Sequence, residues 1–522
     1  MRKNQYILSI VLLISVLAYT LWFVFAGFGN HQDPLYWLYK YEHLDGGWMA
    51  VGTLLTGGAI VRLFGAQLLP LRLAGWLCVV AAIALPYVCL QTKKQRRDNL
   101  HWLALAYILM GYGAFQEFSP GTLSVLLLSA LWVCAAKSKI ITIKSAILVA
   151  ILAGIAISAR FPNILVLLVL IPIWKKRSLW NIPIAALTAG IVYLLGYFFV
   201  TPAVTDAAMT SHELWDMCSK LWTNGGKLIG GILLAIGVVA IGQLSTRRTS
   251  SVVQASIAVA VGALLAYFSW YTFKPLQWYN IDLTYLLSSL CLVIALAPYI
   301  KHHTSSLAIG ALLLSVATLG TDTAWLKLFP AVLCLLPVAA ASYKPQIRRY
   351  LWIVMALLSV VVAVRMTTNS VGQSNLTKAT TCSSIAPYNH IAIRPAEEER
   401  LAQYKADYDS LQTSPITHQI SVLSIGQENH LMRAVTGCEA ARFNEFWSNI
   451  FDSVYTAKYR EIIQAEHPIV FCSFSPQFKT KPVYEDRESA MEKMLLEEGY
   501  TPLDRSKYKY VIYIPNYDTE VQ

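Results

Sequence analysis

WMAVGTLLTGGAIVRLFGA, residues 48–66, is apolar enough to be taken for a membrane span, and whether it crosses decides which side every later loop occupies. Its glycines (Gly52, Gly57, Gly58 and Gly65) and the charge on Arg62 make it a weak span. A spanning helix wants about 20 predominantly apolar residues. This composition better suits a helix lying in the interface.

Charge distribution tests that assignment. With 48–66 set aside, thirteen apolar segments of near-spanning length remain, at 6–27, 71–91, 99–116, 121–136, 145–159, 161–175, 181–200, 227–244, 252–270, 283–300, 304–320, 328–343 and 350–366. The basic clusters Arg2–Lys3, Lys93–Arg97, Lys137–Lys144, Lys175–Arg177, Arg247–Arg248, Lys301 and Lys344–Arg349 then share one side, the cytoplasmic one by the positive-inside rule. Those loops carry one acid, Asp98, while Asp33, Glu42, Asp45, Glu117, Asp206, Glu213, Asp216, Asp282 and Asp322 take the other side. Were 48–66 to cross, the clusters after it would change sides and contradict the N-terminus. The expected topology has the N-terminus inside, thirteen spans and the C-terminus outside. Several segments fall short of a perpendicular helix, which implies tilt or burial.

Composition agrees with this class. The chain has 522 residues, 56% hydrophobic and 14% charged, against about 25% charged in an average soluble domain. A polytopic α-helical membrane protein of about 13 transmembrane helices is the fold class that fits. The net charge of +12 reflects topology, so it does not indicate nucleic-acid binding. The first span is too long for a signal-peptide core and lacks a small-residue cleavage site, so it reads as a retained anchor.

Beyond about residue 367 the character changes. This tail holds 20 of the 30 acids and no spanning segment. Residues 395–412, 443–466 and 487–499 are helix patterns, the last ended by Gly499, and 420–425, 468–474 and 510–515 are strand-like. The expected division is a transmembrane domain over 1–366, with a first outer loop at 28–70, and an exported (periplasmic) α/β domain over 367–522. Of nine cysteines, six lie in or beside the membrane region, and Cys382, Cys438 and Cys472 lie in the tail, where a Cys382–Cys438 bridge is one option. No CxxC, HExxH, phosphate-loop or dinucleotide motif supports zinc or nucleotide chemistry.

The stretch GNHQDPLYWLYKYEHLDGG, residues 29–47, follows the first span and mixes Asp33, Lys40, Glu42 and Asp45 with aromatic side chains. Pro34 after Asp33 favours a helix starting at Pro34 with Asp33 as its N-cap. Leu35, Leu38 and the aromatic residues would bind the interface, with Lys40 snorkelling. Capping and catalysis are compatible, because a cap is also a well-held carboxylate. Glu117, in the short loop FQEFSP, is costly between two apolar spans unless hydrated or paired. Arg160, Lys274 and Lys327 lie on the same expected outer face, as do Lys220 and Lys227. Each cation alone reads as a surface or headgroup contact. Together, cations that hold a lipid-linked phosphate and a carboxylate that works as a base would make a transfer site.

With these features the chain resembles the GT-C superfamily of polyprenyl-phosphate-dependent glycosyltransferases, which includes protein mannosyltransferases and the aminoarabinose transferase of lipid A. The resemblance rests on the span count with an outside C-terminus, on Asp33 after span one, and on a tail of α/β character. RLFGAQLLPLRLAGWL (62–77) is similar to the family's segment entering span two, and HLMRAVTGCEAARF (430–443) is similar to a family tail segment. The resemblance implies inverting transfer of a sugar from a polyprenyl-phosphate (or diphosphate) donor to an acceptor hydroxyl of a glycan, lipid or protein, at a multi-pass site in the cell inner membrane. Asp33 would be the general base. Glu117 matches a second-loop acid that helps hold a divalent metal (Mg or Mn) in some members, while others dispense with the metal. Arg160, Lys274 and Lys327 are the donor-phosphate candidates, and Arg72 belongs to the loop-to-span junction. The chain departs from the family in having Gln32–Asp33 where many members have paired acids. It also lacks the aminoarabinose transferase's "KPPL"-type segment, which argues against that substrate. An O-antigen polymerase or ligase and a transporter or flippase are the alternative classes. Short late loops count against the former, and the absence of a clear repeat counts against the latter.

Overall fold

In the computed structural model the described residues are 3–27, 33–44, 50–110, 117–137, 143–170, 181–200, 229–246, 249–272, 281–302, 305–318, 324–368, 376–413, 421–426, 429–438, 452–473, 482–503 and 510–516. Helix α1 (Lys3–Phe25) is followed by α2 (Asp33–His43), α3 (Val51–Phe64), α4 (Leu68–Leu90) and α5 (Lys93–Met110). Next come α6 (Pro120–Lys137), α7 (Ile143–Ala159) and α8 (Val166–Leu170), the last entered through a 3-10 turn at Phe161–Leu165. Helices α9 (Asn181–Phe199), α10 (Ile229–Thr246), α11 (Ser251–Thr272) and α12 (Ile281–His302) follow. Helices α13 (Ser305–Ser315), α14 (Ala324–Ala340) and α15 (Pro345–Thr368) complete the bundle.

The protein is a multi-pass helical membrane protein. Among the described residues, seven helices (α1, α4, α6, α9, α10, α11 and α15) are long and apolar enough to cross a bilayer. Helices α3, α7, α13 and α14, the 161–170 segment and the middle of α12 are shorter apolar helices. Helix α5 opens with the charged run KKQRRD and is buried from Trp102 to Ala106 against its neighbours. Helix α14 lies inside the bundle, buried continuously from Ala331 to Leu336 and packed on α4, α5, α12 and α13. A helix apolar on all sides has to be placed this way. Helix α3 has 14 residues, a rise of about 21 Å, too short for a hydrocarbon core of about 30 Å.

Long-range hydrogen bonds sort the helix ends into two faces. On one, Gln91 reaches Pro337 O (2.6 Å), Arg348 reaches Asn99 (3.0 Å) and Gln254 reaches Gln346 O (3.2 Å). This face carries the basic runs Lys93–Arg97 and Lys344–Arg349. On the other, Arg72 bonds Gly27 O (2.8 Å), Thr53 bonds Ala159 O (2.7 Å), Arg160 bonds Ala317 O (2.6 Å) and Arg365 bonds Trp270 O (2.8 Å). Two of the basic runs expected on one side of the membrane thus lie together.

The C-terminal region is α/β. A two-stranded antiparallel pair, β1 (Thr381–Cys382) and β2 (Ala392–Ile393), precedes α16 (Pro395–Thr413). Pro395 opens that helix, and the Glu397 carboxylate reaches back to the Arg394 N–H (2.9 Å), which satisfies an otherwise orphaned donor. Next come β3 (Val422–Gly426), α17 (Asn429–Thr436), α18 (Asp452–Glu466), β4 (Ile469–Ser473), α19 (Pro482–Glu497), β5 (Tyr500–Pro502) and β6 (Tyr510–Pro515). The main sheet has the order β3-β4-β6-β5, with β3 parallel to β4 and the other pairs antiparallel. Gly499, at φ 81°, turns the chain from α19 into β5. Cys382 is exposed and Cys438 buried, both as free thiols, so the bridge is not formed.

Charge and helix ends together predict that the face carrying Lys344 and the face carrying the C-terminal region lie across the bilayer from each other. In a Cys382→Ser background, Lys344→Cys and Lys405→Cys, both exposed positions, should react with a membrane-impermeant maleimide from opposite sides of sealed vesicles. Labelling of both from one side would refute the assigned topology.

Candidate functional site

Helix α2 organises the face that holds the sequence-predicted acids. Leu35, Leu38, Tyr41 and Leu44 are buried, and Tyr41 is fully so. Leu35, Leu38 and Tyr41 form one core with Leu54, Val61, Leu68 and Leu71 of α3 and α4 and with Tyr388, Ile391, Leu401 and Leu431 of the C-terminal region. Helix α2 is therefore sandwiched between bundle and tail rather than floating in the headgroups. Lys40 does not snorkel: it is buried, with its ammonium 4.4 Å from the Tyr36 ring centre. Gly57 lets α2 lie flush on α3, because a Cβ there would fall inside the Tyr41 ring.

Beneath α2, four polar side chains converge. The Tyr41 hydroxyl donates to Phe118 O (3.0 Å), and Phe118 N–H donates to Leu71 O (2.8 Å), which fixes the α5–α6 loop on the start of α4. Gly75 is required at this contact, since a Cβ would run into the Glu117 backbone. Glu117, half-buried, stands within electrostatic reach of both Tyr41 and Arg72, and Tyr388 also acts on Arg72. Burial first, and the Glu117 charge second, push the Tyr41 phenol well above its ordinary pKa, so it remains a neutral donor. Arg72 is buried and donates to Gly27 O, a junction role, while Gly27 N–H donates to Ala392 O (2.7 Å) and Leu68 N–H to Pro387 O (3.0 Å). Residues 387–392 are thereby tied to the ends of α1 and α4.

Asp33 is the first residue of α2, where free backbone N–H groups and the helix dipole favour a carboxylate. It lies eight residues before Tyr41, about 12 Å of helical rise. Glu117 therefore meets one end of α2 and Asp33 heads the other. No group of three or more His, Cys, Asp or Glu that could hold a metal occurs among the described residues. Glu117 is within electrostatic reach of the Arg72 guanidinium.

Among the cation candidates, Lys274 lies outside the described residues, as do Lys220 and Lys227, and Lys327 falls in the first turns of α14. Arg160 caps the 161–165 turn, is 6% exposed, and among the described residues its guanidinium makes one hydrogen bond, to Ala317 O. Burial alone acts on its charge, and no acid faces it among the described residues. The 161–165 turn and α14 both pack against the turn Val316–Thr318, so Arg160 and the start of α14 share one corner of the face. Helix α3 links this corner to α2: Thr53 bonds Ala159 O at one end, and Gly57 meets Tyr41 further along. Tyr41, Tyr388, His430 and Arg433 were not identifiable as site residues in the sequence. Their sole signal was the aromatic density of 36–41 and the quoted 430–443 segment.

Two substitutions should rank by mechanism in thermal melts of detergent-solubilised protein. Tyr41→Phe removes one buried hydrogen bond, a loss of about 1 kcal/mol. Gly75→Ala forces backbone apart and should cost about 1–3 kcal/mol. A Gly75→Ala protein as stable as wild type would show that the loop carrying Glu117 is not held as described.

No protein-family model matches the chain, and no curated protein matches it. Among solved structures the chain is similar to ArnT from Cupriavidus metallidurans in the apo state, at 11% sequence identity and a TM-score of 0.45, over 98% of this chain and 97% of that one.

Proposed function

We propose that the chain is an integral-membrane inverting glycosyltransferase that moves a sugar from a polyprenyl-phosphate donor to an acceptor hydroxyl at the face bearing α2. The observation that carries this reading is Arg160. A guanidinium has five N–H donors and keeps its charge, and this one is buried with a single backbone carbonyl as partner among the described residues. An ionisable side chain at a membrane edge is expected to be paired or to serve a ligand, and a phosphate oxygen pair matches the guanidinium fork. A lipid-linked phosphate is the anion that reaches such a corner from the bilayer. Lys327 and Lys274 are the further cations proposed for the same phosphate.

Asp33 is proposed as the base. The acceptor hydroxyl is a poor nucleophile, and a positioned carboxylate that takes its proton as the C–O bond forms contributes about 10²–10⁴-fold. The sugar–phosphate bond breaks on the opposite side of the anomeric carbon, and its electron pair leaves with the phosphate, whose charge Arg160 stabilises in a site poor in water. Glu117 is proposed to serve the site through the Arg72–Tyr41 end of α2, with no step routed through a metal.

Binding and turnover separate the two roles. Undecaprenyl phosphate should raise the melting temperature of the purified protein. Arg160→Met should weaken that binding roughly 10–100-fold, the equivalent of about 1.5–3 kcal/mol for a charge-assisted contact. Since the wild-type cation is buried without an acid, its loss should leave the unliganded melting temperature almost unchanged. Asp33→Asn should keep carrier binding and lose turnover of a panel of radiolabelled polyprenyl-phosphate sugars by about 10²–10⁴-fold. Intact turnover in Asp33→Asn would reject the base assignment. A wild-type protein that consumes no such donor yet moves the lipid across vesicles would be a transporter.

A further inference from the structure

The helix that begins with Asp33 is gripped from above by a helix of the C-terminal region. Arg433 of α17 is 7% exposed and places its guanidinium carbon 3.2 Å from the centre of the Tyr39 ring. His430, one turn earlier on α17 and 5% exposed, meets the Tyr36 ring edge to face at 5.5 Å, and Lys40 lies on that same Tyr36 ring. Leu431 and Met432 of α17 are fully buried in the core that also takes Leu35 and Leu38 of α2. Helix α17 in turn packs on α16, β3 and β4, so it is braced by the sheet.

A cation on an aromatic face in a site with little water contributes more than an exposed ion pair does. Tyr36, Tyr39 and Lys40 are spaced at three and four residues, one side of a helix. On the opposite side of the helix, Tyr41 meets Gly57 of α3 and donates to Phe118 O. Helix α2 is thus held on two sides by different parts of the chain, and the tail side is built from charged and aromatic groups whose geometry is directional.

We infer that α17 is a positioning element for the site at α2: Arg433 on Tyr39, with His430 on Tyr36, sets where the Asp33 end of the helix stands, and so sets turnover rather than substrate affinity. This rests on the reading of Asp33 as the base. It gives the C-terminal region a share in the reaction as the part that holds one wall of the site.

The test uses full-length protein in nanodiscs with a nitroxide on Glu42→Cys, an exposed position of α2, and a control nitroxide on Lys405→Cys of α16, both in the Cys382→Ser background. Arg433→Met should increase nitroxide mobility at 42 and not at 405. It should also lower kcat for a consumed polyprenyl-phosphate sugar about 10–100-fold, the scale expected for a small displacement of a catalytic group, with KM unchanged. Arg433→Lys, which restores a cation over the ring, should recover most of both. Unchanged mobility at 42 in Arg433→Met would overturn the inference. So would raised mobility with wild-type kcat, or a loss that appears in KM alone. If Asp33→Asn retains turnover while Arg433→Met loses it, the base assignment fails and the grip on α2 stands.

Discussion

A buried guanidinium must be answered, because taking it out of water costs several kcal/mol that only an acceptor can offset. Arg72, one turn into α4, is answered by the carbonyl of Gly27 just past the end of α1. Much of the outer architecture depends on that bond. It brings the exit of the first span against the entrance of the second, so the connection between them folds back over the bundle. Gly27, in a left-handed conformation at φ 94°, then turns its N–H to Ala392 of the tail. A single junction thus joins the first two long helices to a segment more than 300 residues away in the chain.

Around this junction polar groups are satisfied in a chain of short steps. Tyr41 donates to Phe118, whose N–H donates to Leu71, and Glu117 lies within reach of Arg72. Each of these groups would be expensive alone in a low-dielectric site, and cheap once connected. Arg160 differs: among the described residues its guanidinium has one carbonyl partner, Ala317 O, and no acid beside it. That contrast is the ground on which it is proposed as a ligand-holding cation.

The C-terminal region belongs to the same structure. Its core is continuous with α2, α3 and α4, and residues 387–392 are hydrogen-bonded to the ends of α1 and α4. A division into a membrane part and a tail is useful for describing composition, yet the apolar cluster under α2 disregards it. Helix α2 is the shared element: Tyr41 reaches α3 and the loop before α6, its leucines enter a core shared with the C-terminal region, and Tyr36 and Tyr39 meet α17.

Much of this was legible from residue order. Span periodicity and loop charge depend on the local run of side chains and on the sign of each cluster, so the helices, the weak character of 48–66 and the two-sided charge pattern could all be read from the sequence. The acid heading α2 followed from its distance to the end of the first span, and the junction role of Arg72 from the family resemblance. Burial of α2 could not be read that way. A stripe of leucine, tyrosine and tryptophan satisfies a headgroup layer or a protein interface equally well, because both offer an apolar side and a polar one. Only the arrival of α17, from residues 429–436, decided between them. Likewise, the sequence shows Glu117, Arg160 and Lys40 merely as charges near span ends. The tertiary structure separates a carboxylate beside a guanidinium, a cation left with one carbonyl and an ammonium laid on a ring, since those contacts come from segments far apart in the chain that carry no mark of each other.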